Sequence, residues 1–278
     1  MIKGIINIIR PLNVLIAMLS VYVGGIISSP QYYDINILLA ALSAGCIAGF
    51  GNVVNDIFDL EIDVIAKPHR PLPAEKIDIR EAFILAMILV IPGIILAAII
   101  NKQCLLIASL AAVVLLSYTP VFKGRGYSGN LLVAFIVATA FFYGAASVYD
   151  IEHGTIPAIF ALLYNLVREI VKDMEDYDTD KIKGIQTGAV KYGLKISTAL
   201  AVTVGFVMIV ATIIPYVFNI YNIGYLIAVV LGVDLFVIYL IFRLLNSPGK
   251  STYGFVARFM KALMPLGLLA IFLGSRGL

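Results

Sequence analysis

Nine long apolar segments dominate this chain of 278 residues. A helix that crosses a bilayer needs about 20 predominantly apolar residues, and each segment is close to that length. Of all residues, 61% are hydrophobic and 13% are charged, whereas soluble domains average about 45–50% apolar and about 25% charged residues. The sequence therefore predicts an all-α, multi-span transmembrane helical bundle. The predicted spans cover about residues 11–29, 37–57, 81–100, 103–120, 130–149, 155–172, 194–218, 221–245 and 255–274.

The positive charges lie almost entirely on one side of the predicted spans. All but two of the 20 lysine and arginine residues, the exceptions being Lys102 and Arg276, fall on the side of the N-terminus. Because short cytoplasmic loops are enriched in Lys and Arg, we expect this side and the N-terminus to be cytoplasmic and the C-terminus to lie outside. We therefore expect a multi-pass protein of the cell membrane, and the basic residues are explained without a nucleic-acid partner.

The second predicted span ends in a first acidic cluster, Asn55–Asp63. If the helix continues to Asp63, then Asn55, Asp59 and Asp63 repeat every four residues and share one face, which Asp56 widens. Stacked carboxylates repel one another unless a cation lies between them. Oxygen ligands without cysteine favour a hard ion, Mg²⁺ or Mn²⁺. We predict that these four residues are metal ligands.

The sixth predicted span ends in a second acidic cluster. Asp173, Asp176 and Asp180 follow the spacing i, i+3, i+7 and again share one helical face, whereas Glu175 and Asp178 point towards water. A single run of this kind is equally well a solvated helix end, but two runs in register favour a second set of metal ligands. The two acidic clusters lie four spans apart along the chain. This separation suggests one intramembrane domain over residues 1–278, with two four-helix halves of about 1–150 and 151–245 and a ninth helix.

Basic residues accompany both clusters. Three prolines around Lys67 and Arg70 predict a stiff, extended linker that holds both side chains near the first cluster. Lys123 lies in another basic loop, and Arg168 lies inside the sixth span, next to Glu169. A planar guanidinium suits phosphate binding, so we predict these four basic residues as diphosphate ligands. The alternatives are topological anchors for the linker residues and a structural ion pair for Arg168.

Two classes of membrane protein use carboxylates in this way. A pair of acidic clusters with divalent metal is a receptor for pyrophosphate, which indicates an enzyme acting on a lipid diphosphate. A proton- or sodium-coupled transporter is the alternative, but transporters place such groups near the bilayer midplane, often at broken helices. Here the acidic clusters lie at span ends beside basic loops, and this placement favours the enzyme.

The two acidic motifs resemble those of a known family. The pattern Asn55-Asp56-x-x-Asp59-x-x-x-Asp63 resembles the first aspartate motif of the UbiA-type intramembrane prenyltransferases, and Asp173-x-x-Asp176-x-x-x-Asp180 resembles the second. The stretches 10–13 and 129–130 also agree with that family, and the resemblance extends over essentially the whole chain. It implies a helical bundle with a central cavity and Mg²⁺-dependent transfer of a prenyl group from its diphosphate to an acceptor, with two ions expected.

The resemblance also bears on the acceptor. The segment 168–176 is most similar to family members that transfer a geranylgeranyl group from geranylgeranyl diphosphate to geranylgeranylglyceryl phosphate, the second ether link of archaeal membrane lipids. Other members use 4-hydroxybenzoate and related quinone precursors, haem or chlorophyllide, and these stay as alternatives. A phosphorylated lipid acceptor requires a cation, for which we suggest Arg10 with Asn13. The expected catalytic residues are Asp59, Asp63, Asp176 and Asp180.

Overall fold

The computed structural model of the chain describes residues 2–29 and 34–275. Arg276 and part of the turn between the first two predicted spans therefore lie outside the described residues. Within them, secondary structure consists of helices and one isolated parallel bridge, Gly126 to Thr187. The α-helices are α1 Ile2–Ile9, α2 Pro11–Ile27, α3 Ile35–Phe58, α4 Leu60–Ala66, α5 Ile79–Ile100, α6 Lys102–Ser117, α7 Tyr127–Ser147, α8 Thr155–Glu175, α9 Tyr177–Ile182, α10 Gly188–Tyr192, α11 Leu194–Val217, α12 Ile223–Val229, α13 Leu235–Asn246 and α14 Lys250–Ser275.

The described residues contain 8 helices that are long and apolar enough to cross a membrane, and 9 if the bent pair α1 and α2 counts as one span. These two helices meet at an angle of 45°. A π-helical segment, Tyr118–Phe122, extends α6, and another, Val230–Asp234, joins α12 to α13 within a single span. The all-α, multi-span bundle predicted from the sequence is confirmed. The orientation of the termini stays a prediction.

One compact unit consists of residues 1–122 and 139–154. Its central helix is α3, which packs against α2, α5 and α6. Phe50 and Val53 of α3 are buried together with Ala82 and Ala86 of α5, and Ile8 of α1 joins the same cluster. Because this packing surrounds the last turns of α3, it supports the acidic cluster that follows them.

Helix α2 and the second half of α7 approach each other closely in this unit. A Cβ atom added at Gly144 would meet the carbonyl oxygen of Val21 and would lie 2.6 Å from the backbone nitrogen of Gly25. Both obstacles are backbone atoms, which cannot rotate away as a flexible side chain would. Small residues at helix contacts permit such approaches in membrane proteins, and here only glycine fits without a shift of one helix.

Gly144→Ala is expected to lower the free energy of unfolding by about 1–3 kcal/mol because it overpacks this contact. The matched control is Gly267→Ala in α14, where the nearest atom to the new Cβ, Cγ2 of Val233, is 3.9 Å away. That control is expected to be neutral or stabilising, since alanine is the better helix former. Thermal unfolding of both variants in the same detergent measures the difference, and equal melting temperatures would contradict the close contact.

A second compact unit consists of residues 123–138 and 155–278. In it α8 packs against α11 and α14, and α12 packs against α14. Its buried core includes Ile170 and Met174 of α8, Met208 of α11, Tyr225 of α12 and Met260 of α14. The boundary between the units falls within α7. The two halves expected at about 1–150 and 151–245 stay a prediction.

Candidate active site

The first acidic cluster spans a break between two helices. Asp59 ends α3 and precedes α4 with φ −86° and ψ 3°. The hydrogen-bond ladder nevertheless continues through it, since its N–H donates to the carbonyl of Asn55 at 2.9 Å and its own carbonyl accepts from the N–H of Asp63 at 2.8 Å. The break therefore preserves the spacing of four residues, and the three residues keep one register as predicted.

Three carboxylates of this cluster are buried. Asp56, Asp59 and Asp63 are 3%, 4% and 2% exposed. Arg10 forms an ion pair with Asp56, and Arg70 pairs with Asp63 and lies 3.2 Å from Asp56. Two arginines therefore supply positive charge to these carboxylates within the protein itself, and the metal-ligand role of the cluster stays a prediction.

The Asn55 amide and the Thr119 hydroxyl orient the third carboxylate of the cluster, that of Asp59. The Asn55 side-chain nitrogen donates to Oδ2 of Asp59 at 3.0 Å. Thr119 Oγ1 donates to Oδ1 of the same amide at 3.3 Å, which directs the amide nitrogen towards the aspartate. Thr119 lies in the π-helical segment after α6. No role was predicted for Thr119, since a single threonine at a span end is not a distinctive signal.

The linker after α4 is a series of turns rather than the extended segment that its prolines predicted. The N–H of Arg70 donates to the carbonyl of Lys67 at 2.9 Å, and that of Ala74 donates to the carbonyl of Arg70, also at 2.9 Å. The turns nonetheless bring the Arg70 guanidinium to the first cluster. Burial raises the pKa of the Asp63 carboxyl, an effect that the charge and hydrogen bond of Arg70 partly oppose.

Arg10 and Asn13 lie at the corner between α1 and α2. The backbone of Arg10 is left-handed, with φ 56°, and its guanidinium reaches Asp56. Asn13 donates to the side chain of Asn52 at 3.3 Å, and Asn52 donates in turn to the carbonyl of Ile9 at 2.7 Å. The corner is thus tied to α3. The suggested acceptor-binding role of Arg10 and Asn13 stays a prediction.

The second acidic cluster has the same local geometry. Asp176 separates α8 from α9 with φ −86° and ψ 1°. Its N–H donates to the carbonyl of Lys172 at 2.9 Å, and its carbonyl accepts from the N–H of Asp180 at 2.9 Å. Asp180 is 6% exposed. Both clusters are therefore built alike: an aspartate at a helix break, with another aspartate one turn later and buried.

Asn130 at the start of α7 contributes to the second cluster. Its side-chain nitrogen donates to Oδ2 of Asp173 at 3.0 Å. Its Oδ1 is buried and has no hydrogen-bond partner among the described residues. A buried acceptor of this kind requires a donor or a cation, so Asn130 belongs beside the predicted ligands. Its place next to Gly129 was noted in the sequence, but no role was assigned to it.

The other predicted basic ligands differ in their surroundings. Arg168 pairs with Glu169 at 2.9 Å, and its Nε lies 3.3 Å from the carbonyl of Ala257 in α14. Lys172 also pairs with Glu169, at 2.6 Å. The structure thus places Arg168 in the structural ion pair that the sequence left open. Lys123 is half-buried in the segment before α7.

The donor sets suit a metal that is shared with a substrate. Among the described residues, no group of three or more His, Cys, Asp and Glu side chains is arranged to hold a metal ion. Mg²⁺ typically takes one or two carboxylates, with waters and substrate phosphates in its other positions. Each cluster offers oxygen ligands of this kind and number, so the residues present fit Mg²⁺ together with a diphosphate.

One acidic residue lies far from any span end. Asp234 is 2% exposed in the middle of the span Ile223–Asn246. Its Oδ2 accepts from the Thr212 hydroxyl at 3.0 Å, and its Oδ1 has no partner in the described part of the chain. Asp234 was not among the predicted site residues, and it occupies the depth at which a transporter would place a coupling residue.

Comparison with known proteins decides between the two classes. The model of the UbiA prenyltransferase family matches residues 17–263. The chain belongs to this family and is a membrane prenyltransferase. Digeranylgeranylglyceryl phosphate synthase of Methanococcus aeolicus is 37% identical over 99% of this chain and 98% of its own length. The protein of the same name from Saccharolobus solfataricus is 34% identical over 98% of this chain and 97% of its own length.

Solved structures agree with this assignment. A structure from a study of digeranylgeranylglyceryl phosphate synthase in membranes has a TM-score of 0.78 at 35% identity, and covers 99% of this chain and 98% of that one. A UbiA homologue from Archaeoglobus fulgidus, solved with GPP and Mg²⁺, has a TM-score of 0.69 at 18% identity over 96% of this chain and 99% of its own. The second likeness concerns the fold alone.

Proposed function

We propose that this prenyltransferase transfers the geranylgeranyl group of geranylgeranyl diphosphate to geranylgeranylglyceryl phosphate, forming the second ether link of archaeal membrane lipids. The observation that carries this proposal is the 37% identity, over nearly the full length of both chains, to a relative named for the product of that reaction. Aromatic acceptors, haem and chlorophyllide are the alternatives that membership of the family leaves open.

The two acidic clusters are the proposed metal ligands, with two Mg²⁺ ions expected. Asp56, Asp59 and Asp63 with Asn55 would contribute at the first cluster, and Asp173, Asp176 and Asp180 at the second. When bound, the ions would neutralise the charge of the departing diphosphate. The A. fulgidus homologue, which shares the fold, was solved with GPP and Mg²⁺.

The basic residues of the chain would act on the same charge. Arg70 is already held at the first cluster, and with Lys67 and Lys123 it would bind diphosphate oxygens as the bond to C1 of the prenyl group breaks. Fixed cations placed where charge develops account for much of the rate enhancement of enzymes. The acceptor hydroxyl then forms the new bond to C1, and its proton passes either to a carboxylate of one of the clusters or to the departing diphosphate. We expect this site to face the cytoplasm.

A panel of acceptors tests the proposed substrates. Purified full-length protein with Mg²⁺ and labelled geranylgeranyl diphosphate is expected to label geranylgeranylglyceryl phosphate and to leave 4-hydroxybenzoate unlabelled. Turnover is expected to stop with EDTA and to return when Mg²⁺ is added. Labelling of the aromatic acid alone would overturn the acceptor, whereas undiminished turnover in EDTA would overturn the metal requirement.

A further inference from the structure

A cavity of about 530 Å³ lies at one end of the second unit, where several helices begin or end. Met174 at the end of α8, Leu194 at the start of α11 and Leu244 near the end of α13 form apolar parts of its wall. Its volume is in the range of small-molecule sites. No residue of this cavity is among the predicted metal or diphosphate ligands.

The cavity has a positive rim. Lys195 and Lys250 line it, are exposed, and form no ion pair with any residue that the structure describes. One acidic residue, Asp178, lies opposite them on the rim. Two lysines against one aspartate leave a single positive charge, which matches one negative charge on a ligand.

Two helix N-termini reinforce this charge. Leu194 begins α11 and Lys250 begins α14, and neither helix has an acidic residue in its first turn. The N-cap of α11 is Gly193, which provides no side-chain cap. The first N–H groups of a helix lack intrahelical partners and favour anions. Both N-termini lie at the cavity wall, so their partial positive charge adds to that of the lysines.

Tyr253 supplies an unused donor. It lines the cavity and is only 4% exposed, yet its hydroxyl makes no hydrogen bond to any of the described residues. A tyrosine hydroxyl at a cavity wall can donate a hydrogen bond to a bound ligand. A ligand acceptor such as a phosphate oxygen within the cavity would satisfy it.

The surface next to the cavity suits hydrocarbon. Leu245 lines the cavity and is 58% exposed, and Phe242, one turn earlier on α13, is 62% exposed. Since α13 belongs to a membrane span, these side chains face the lipid region. A ligand with a charged head at the lysines could lay its chains along this surface.

We propose that this cavity binds the head of an anionic phosphodiester membrane lipid, one whose phosphate carries the only charge of the head. Lys195, Lys250 and Tyr253 contact the singly charged phosphate, and the chains follow α13. A phosphodiester carries one negative charge and so matches the rim, whereas phosphomonoesters and diphosphates carry more. The site does not depend on the proposed prenyl acceptor, because it uses none of the residues assigned to the reaction.

Native mass spectrometry of the full-length protein in neutral detergent tests the proposal, with phosphatidylglycerol as the probe and phosphatidylcholine and inorganic phosphate as comparisons. Phosphatidylglycerol is expected to bind most tightly. The double substitution Lys195→Ala with Lys250→Ala is expected to weaken its binding about tenfold or more, because it removes charge-assisted hydrogen bonds. Tyr253→Phe, which deletes one hydroxyl and keeps the ring, is expected to weaken binding about threefold.

Two further variants distinguish specific binding at this cavity from non-specific electrostatic attraction of the lipid to the protein. Asp178→Asn is expected to tighten phosphatidylglycerol binding by removing the opposing charge. Lys102→Ala, at the start of α6 and outside the cavity, is expected to leave it unchanged. Equal binding of the two lipids, displacement of lipid by inorganic phosphate, or wild-type affinity in both the lysine double variant and Tyr253→Phe would each overturn the proposal. If the double variant does not fold, Tyr253→Phe and Asp178→Asn decide.

Discussion

Asp59→Ala and Asp176→Ala are each expected to lower kcat/KM for geranylgeranyl transfer by about 10³-fold or more, because each removes a ligand charge at the site where the leaving group develops its own. Each aspartate occupies a helix break with almost the same backbone angles. The matched loss would indicate that the reaction requires both clusters. The measurement is the initial rate with labelled diphosphate at saturating Mg²⁺.

The controls for these variants lie beside them in sequence. Glu61→Ala removes an exposed carboxylate two residues after Asp59. Glu175→Gln removes the charge next to Asp176, where the carboxylate is 3.5 Å from Arg258. Both controls are expected to keep most of the activity, since neither residue is assigned to metal or substrate. Near wild-type rates in both Asp59→Ala and Asp176→Ala would contradict the hypothesis that the reaction requires both acidic clusters.

Arg70→Ala is expected to reduce both activity and stability. One of its nitrogens contacts both Asp56 and Asp63, so the substitution removes the arginine paired with the buried Asp63 and leaves Asp56 with Arg10 alone. Because the Arg70 side chain is 21% exposed, we expect a loss of about 1–3 kcal/mol in unfolding free energy, less than for a fully buried pair. The catalytic loss is expected to reach about 10²-fold, as for removal of one oxyanion donor.

Arg70→Lys separates the two effects. Lysine keeps the charge but lacks the planar fork that binds two oxygens at once, so melting temperature is expected to recover more than kcat/KM. Arg80→Ala, an exposed residue in the first turn of α5, is the control for a general loss of positive charge. If Arg70→Ala has the melting temperature and the kcat/KM of the wild type, the guanidinium contributes neither to stability nor to catalysis.

The sequence predicted the spans well because apolar length and polar caps are local signals. The predicted span 81–100 corresponds to α5, Ile79–Ile100, which starts after a capping box formed by Asp78 and Glu81. The register of each acidic cluster was equally predictable, since spacings of three and four residues place side chains on one face even where a break interrupts the helix. The family resemblance also followed from these motifs.

Other features depend on tertiary contacts that spacing cannot reveal. The pairing of Arg10 with Asp56 joins residues 46 positions apart, and nothing in the local pattern connects them. The proline-rich linker was expected to be extended, but its backbone hydrogen bonds close turns that proline tolerates. Asn130 and Thr119 act through amide and hydroxyl contacts, for which single polar residues in a loop or span end give no distinctive signal. Asp234 was missed because one acidic residue hardly changes the hydropathy of a span.

The arginines of the first cluster have a consequence for how the protein is made. If magnesium alone neutralised these carboxylates, their repulsion would oppose helix packing until the ion bound. Here Arg10 and Arg70 belong to the same chain and are the counter-ions of Asp56 and Asp63. We therefore expect the bundle to insert and assemble in the membrane without metal, so that the proposed ion is needed for the reaction and not for biogenesis.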